Sequence, residues 1–175
     1  MRTLTRPRPA LWSVSRRATG LTIRELGPGE TGPLTQVFAG MSDTSRRLRY
    51  LVGTPRLTAS MIRLLTDVGH ARHRAWVAEV DGKAVGIVRY ARPGADAAEA
   101  EVAVEVVDGY HGRGVGRALV AVAREAALAA GITALVWTAR PENEAVRRLL
   151  GGPGASVLVL DGLVEGVTPL LPLAA

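Results

Sequence analysis

Apolar residues recur along this chain in two rhythms, every second position and every third or fourth. Leu21 to Leu26 alternates, which predicts a strand, and Gly27-Pro-Gly29 leads into a helix from about Glu30 to Gly40. A second helix restarts after Met41, with Ser42 or Asp43 as N-cap, and runs through Ser45-Arg-Arg-Leu-Arg-Tyr50. Leu57, Met61, Leu64, Leu65 and Val68 fall at helical spacing and predict a third helix over 56–68. Ala75 to Val80 and Lys83 to Tyr90 alternate around Asp81-Gly82, a hairpin signal because both turn positions need positive φ. Glu99 to Val107 alternates again, followed by a helix from about Gly112 to Ala130 that stops at Gly131. Thr133 to Thr138 reads as a buried strand and Glu142 to Leu150 as a short helix. Ala155–Leu160 and Leu163–Leu171 form a last hairpin around Asp161-Gly162. The order predicts an α/β fold, a mixed sheet with helices on both faces. Trp76 and Trp137 fall in strands and are expected in the core, whereas His70 and His73 are expected in an exposed loop.

At 175 residues the chain is expected to be one domain over 21–175, preceded by a flexible basic tail over 1–20. The tail is rich in Arg, Pro and Ser. An organelle transit peptide shares that composition, and a disordered tail is the plainer reading. No apolar run reaches the ~18 residues of a membrane span, so no membrane role and a cytoplasmic location are expected. With no cysteine, disulfides, zinc–thiolate sites and cysteine nucleophiles are excluded, and no metal is expected. The net charge of +6 suggests nucleic acid until it is divided along the chain. Arg2, Arg6, Arg8, Arg16 and Arg17 carry five of those charges, which leaves +1 for residues 21 to 175. A nearly neutral folded part has no basic nucleic-acid footprint.

Candidate chemistry concentrates in Glu101-Val-Ala-Val-Glu105-Val-Val-Asp-Gly-Tyr-His-Gly112-Arg-Gly-Val-Gly-Arg117. A strand, a glycine-rich turn and a helix start would aim the amides of Gly112 to Arg117 at one point, where unpaired N–H groups and the helix dipole favour a phosphate. Glu101 and Glu105 share one strand face beside that cradle. The spacing is not Gly-x-Gly-x-x-Gly, because position 117 is Arg, and Gly-Lys-Ser/Thr is absent. Dinucleotide and nucleotide-hydrolase loops are therefore set aside.

His111-Gly-Arg-Gly114-Val-Gly116 resembles the Gln/Arg-x-x-Gly-x-Gly/Ala signature of the GNAT superfamily of N-acetyltransferases, with His in the first position. Asp81-Gly-Lys-Ala-Val-Gly86 is similar to that family's hairpin, and Arg140-Pro-Glu-Asn143-Glu-Ala to its later motif. Ser45 to Tyr50 with Ala100 to Val104 resembles the branch with bacterial protein-lysine acetyltransferase domains. The resemblance implies a mostly antiparallel sheet of about seven strands and acetyl-CoA as co-substrate. It implies pyrophosphate bound by Gly112, Arg113, Gly114, Val115, Gly116 and Arg117, and contact with the cofactor through Asn143. Main-chain groups of Val106 and Val107 would hold the pantetheine arm where the strand splays from its neighbour, and the Val107 amide would polarise the thioester carbonyl.

An attacking lysine amine has an ordinary pKa near ~10.4, so holding it neutral at pH 7 costs about 4.6 kcal/mol. The site therefore needs a proton acceptor. Glu101 falls where protein-acetylating relatives place a catalytic glutamate, and Glu105 is the second candidate; either could instead be held by an arginine. The resemblance implies a tyrosine after the last-but-one helix to protonate the leaving thiolate, but none follows Arg140, so water is expected to return the proton here. Arg46, Arg47 and Arg49 could meet an acidic substrate or a cofactor phosphate, with a solvated helix face as the plainer reading. The expected function is transfer of acetyl from acetyl-CoA to a primary amine, either a protein lysine or a small molecule, in a ternary complex. A non-catalytic acetyl-CoA-binding module is the alternative. The terminal strands could also carry a homodimer.

Overall fold

Two Asp-Gly turns set the hairpins of the sheet. Asp81 and Gly82 adopt φ of 50° and 73°, and Asp161 and Gly162 adopt 50° and 75°, the left-handed geometry a two-residue hairpin requires. The computed structural model describes residues 20–51 and 56–170, so the tail expected over 1–20 lies outside the described residues apart from Gly20. The elements are β1 (Leu21–Glu25), α1 (Thr31–Ala39), α2 (Asp43–Tyr50), α3 (Ala59–Thr66), β2 (His73–Val80), β3 (Lys83–Ala91) and β4 (Glu99–Val106). A 3₁₀ turn (Asp108–Tyr110), α4 (Val115–Ala129), β5 (Ala134–Ala139), α5 (Glu144–Leu150), β6 (Ser156–Leu160) and β7 (Leu163–Pro169) follow. Ser42 caps α2 by accepting from Ser45 N–H at 3.2 Å, and Thr58 caps α3 from Met61 N–H at 3.2 Å, which starts α3 later than position 56.

The seven strands run in the order β1-β2-β3-β4-β5-β7-β6. Only β4 and β5 are parallel, and their register runs from Glu99↔Ala134 to Glu101↔Val136 and ends there. Beyond Glu101 the two strands diverge, while β4 stays paired with β3 as far as Gly86↔Val106. This splay opens the middle of the sheet.

Strand alternation divides the core between the faces. Ala100, Val102 and Val104 point into a cluster with Leu119, Val120, Ala123, Trp76 and Trp137, so α4 covers that face and both expected tryptophans are buried. Leu34, Val37, Met41, Val68, Val77 and Ile87 form a second cluster beneath α1 and α3 on the other face. Val85 is the extra residue of a β3 bulge, between the pairs Ala78↔Gly86 and Glu79↔Ala84. Glu101, Ala103 and Glu105 share the face of the second cluster, toward α2.

The helix expected from about Gly112 begins at Val115 instead. Gly112 and Gly114 take φ of 71° and 83°, so the glycines form a turn before the helix. His73, expected in an exposed loop, opens β2 and is half-buried.

Candidate functional site

A cavity of about 490 Å³ fills the splay between β4 and β5 and reaches the start of α4. Its wall includes Glu101, Glu105, Val106, Gly112, Gly114, Val115, Gly116, Arg117 and Asn143, nine of the eleven residues singled out from the sequence. Arg113 and Val107 lie off the wall. The Arg113 guanidinium stacks over the Tyr110 ring at 5.1 Å.

At one end, Gly114 with its left-handed backbone turns the chain into α4 without a side-chain cap. The first helical bond runs from Ala118 N–H to Gly114 O at 3.0 Å. The amides of Gly112 to Arg117 precede that ladder and have no acceptor among the described residues, so six donors meet at the positive end of a helix of 15 residues. A Cβ at Gly112 or Gly114 would meet nothing within 4 Å, which leaves the cradle open to a ligand.

Along the wall, the edge of β4 beyond Glu101 faces the gap. Val107 donates its N–H to Val85 O at 2.9 Å. The expectation that the Val107 amide polarises a thioester carbonyl is therefore corrected: the bulged β3 strand already occupies that donor. Gly40 lies so close to the Val107 side chain that a Cβ there would come within 2.7 Å of it. Because alternate residues direct their backbone groups to opposite edges, Val106 presents its N–H and C=O on the open side. His111, whose role the sequence leaves open, puts Nε2 2.9 Å from Val106 O and ties the glycine turn to the end of β4. Asn143 accepts from Val146 N–H through Oδ1 at 3.2 Å and so caps α5, leaving its side-chain NH2 for the cavity.

The two carboxylates have unlike surroundings. Glu101 is exposed on the cavity wall and forms no ion pair among the described residues. Glu105 is buried, its side chain 1% exposed. Arg89 Nη2 donates to its Oε1 at 2.8 Å, Tyr50 OH donates to its Oε2 at 2.9 Å, and Arg49 Nε lies 3.3 Å from Oε2. Burial by itself would raise the Glu105 pKa; Arg49 and Arg89 outweigh it and hold the carboxyl below its ordinary range. Burial, then the Glu105 charge, pushes the Tyr50 phenol up, so it stays protonated and donating. Burial draws the Arg89 guanidinium down from a value so high that it remains charged. Glu105 is thus a fixed anion whose oxygens are occupied.

Tyr50, Arg49 and Arg89 are the site residues that sequence reasoning missed or placed elsewhere. Arg49, read as part of a solvated helix face, is turned to Glu105 with its side chain 17% exposed. The available signal was an arginine in β3 opposite a strand bearing two glutamates; the register sets Arg89 across from Ala103, and its guanidinium turns to Glu105. No group of three or more metal-binding side chains gathers among the described residues. No helix there is long and apolar enough to cross a membrane.

The chain matches known proteins over most of its length. A family model described as acetyltransferase (GNAT) family matches residues 42–151. The GNAT domain of S. lividans PAT is 27% identical, with 86% of this chain and 90% of that one covered and a TM-score of 0.79. A cAMP-binding acyltransferase from Mycobacterium smegmatis is 25% identical with a TM-score of 0.60; the match covers 95% of this chain and 48% of that longer one. The structure of yncA from Salmonella typhimurium, solved with acetyl-CoA as its cofactor, shares the fold at 19% identity, covering 89% of this chain and 97% of that one with a TM-score of 0.64.

Proposed function

Because the chain belongs to the GNAT family of acetyltransferases, we propose that it moves an acetyl group from acetyl-CoA to a primary amine within a ternary complex. One observation carries the reading: a single cavity is lined at one end by five residues with unpaired amides, Gly112 and Gly114 to Arg117, and has the exposed Glu101 carboxylate on its wall. The free amides of Gly112 to Arg117 suit a pyrophosphate, and the Val106 backbone suits an amide-bearing arm lying along β4 as an added strand. The Asn143 NH2 group would complete the grip from α5. As donor substrate, acetyl-CoA supplies the thioester whose C–S bond breaks as the amine nitrogen forms the new C–N bond.

Glu101 accepts the ammonium proton, directly or through one water, and so offsets the roughly 4.6 kcal/mol cost of a neutral amine at pH 7. Glu105 is unsuited to that task because its lone pairs already accept from Arg89 and Tyr50. Tyr50 donates to Glu105, which leaves water to reprotonate the thiolate. A protein lysine is the acceptor named first, from the likeness to a PAT domain, with a small-molecule amine second. A cytoplasmic setting and a single domain over 21–175 belong to the same proposal.

Glu101→Gln tests the base. Its thiol release with acetyl-CoA and an amine should fall about 100-fold or more at pH 7. The deficit should shrink toward pH 10, where the amine is neutral unaided. Equal rates for variant and wild type across the pH series would remove Glu101 from the mechanism.

A further inference from the structure

On the Glu101 face of the sheet, a second cavity of about 460 Å³ opens beside the first and shares Arg49, Glu101 and Ala103 with it. Four arginines line it, Arg49, Arg72, Arg89 and Arg92, against two carboxylates, Asp67 and Glu101. Two of the arginines are spent locally. Arg72 donates to Pro93 O, and Arg92 donates to Ala97 O and Ala130 O. Arg49 and Arg89 both turn to Glu105, Arg89 also donating through Nη1 to Leu65 O at 3.0 Å, and the charges do not balance: two guanidiniums face one carboxylate, leaving the cluster with a net charge of +1.

That surplus is largely shielded from water. The Arg89 side chain is 6% exposed and that of Arg49 17%; Arg89 Nε has no acceptor, and Arg49 Nε lies 3.3 Å from Glu105 Oε2 without hydrogen-bond alignment. Neither Nη atom of Arg49 donates a hydrogen bond among the described residues. No further carboxylate reaches either guanidinium, and residues 1–19, 52–55 and 171–175 contain no Asp or Glu that could. A buried cation without a counterion is costly unless something else supplies the charge. A planar guanidinium facing a cavity matches an oxyanion in both charge and shape.

Resting on the acetyl-transfer reading of the adjoining cavity, we infer that Arg49 and Arg89 form an oxyanion subsite for the acceptor, so that the amine this site takes carries a carboxylate on the same molecule. The strand fixes the span. Arg89 stands opposite Ala103, two residues from Glu101, and Glu105 is four residues from it. At ~3.3 Å per residue those separations are roughly 7 and 13 Å. With the amine at Glu101, the carboxylate lies several bonds away. A free amino acid with its amine on a chain end meets that geometry, and so does a protein lysine beside an acidic residue.

Binding to the protein saturated with CoA tests the subsite by calorimetry. The probes are 5-aminopentanoate and L-lysine against their carboxamides, and lysine peptides with Glu against Gln beside the lysine. The carboxylate member of at least one pair should bind about tenfold tighter or more, with the preference weakening in salt. Arg49→Gln should level the pair, and Arg49→Lys should retain part of the preference. The pair that discriminates identifies whether a small molecule or a protein supplies the carboxylate. Equal affinities within every pair for the wild-type protein overturn the subsite, whatever the variants do. Release of CoA thiol from acetyl-CoA with the same probes reports the transfer reading separately. Turnover without a carboxylate preference sinks the subsite alone, and a preference without turnover sinks the transferase alone.

Discussion

The Glu105 carboxylate gives up its hydration to two guanidiniums and a phenol, and that arrangement holds only while all partners remain. Replacing Glu105 by Gln keeps the shape and removes the charge, leaving Arg49 and Arg89 facing one another without an anion. A loss of about 3–5 kcal/mol in unfolding free energy is expected at pH 7. The pH dependence has a definite sign. The folded pKa of Glu105 is lowered, so its contribution is fully present above the unfolded value near ~4.3 and disappears as pH falls through the folded value. The urea midpoints of wild type and Glu105→Gln should therefore differ widely at pH 7 and draw together below about pH 4. A gap unchanged at acid pH would mean that the carboxylate charge is not what the cluster uses. At this scale the sequence was legible only in part. Strand parity sets Glu101 and Glu105 on one face, but their unlike environments come from Arg49 in α2 and Arg89 in β3, which no local pattern brings together.

The turns were the most legible elements, because Asp81-Gly82 and Asp161-Gly162 carry their own backbone requirement. Strand interiors were less so. Gly166 sits in β7 directly opposite Trp137, and a Cβ there would come within 2.1 Å of the indole. The indole cannot yield easily, because it is 1% exposed and its Nε1–H donates to Thr168 Oγ1 at 3.0 Å, which in turn donates to Leu150 O. Gly166→Ala should cost about 3 kcal/mol through overpacking, read as a lowered denaturant midpoint with an unchanged slope. A cost below about 0.5 kcal/mol would show that β7 shifts freely from the ring. Nothing in Val164-Glu-Gly-Val167 reveals this, since the constraint lies on a strand nearly thirty residues earlier. The same blindness applies to β6, whose apolar Val157-Leu-Val-Leu160 does not tell which side of the sheet, or which edge, it takes. All five residues of β6 are exposed at the sheet edge, a matter of topology and not of local composition.

Across the whole molecule the decisive feature is the parting of β4 from β5 after Glu101↔Val136, which leaves a gap where a sheet would ordinarily have hydrogen bonds. The order of elements was readable from periodicity. The commitment of the Val107 amide to Val85 was not, since it depends on how the β3 bulge meets β4. A gap lined with unpaired amides is filled at a thermodynamic gain, so acetyl-CoA should stabilise the native state by mass action. At 100 times its dissociation constant the gain is about 2.7 kcal/mol. For a domain of this size each kcal/mol raises Tm by roughly 2–4 °C, so a shift of about 5–11 °C is expected. Gly114→Val should lose most of that shift, because φ of 83° strains a branched residue and its adjustment would disturb the amide cradle. Comparing ligand-induced shifts, and not the melting points themselves, separates that effect from any cost to the fold. A full shift in Gly114→Val would put the phosphate elsewhere, and no shift in the wild type would remove coenzyme A from the site altogether.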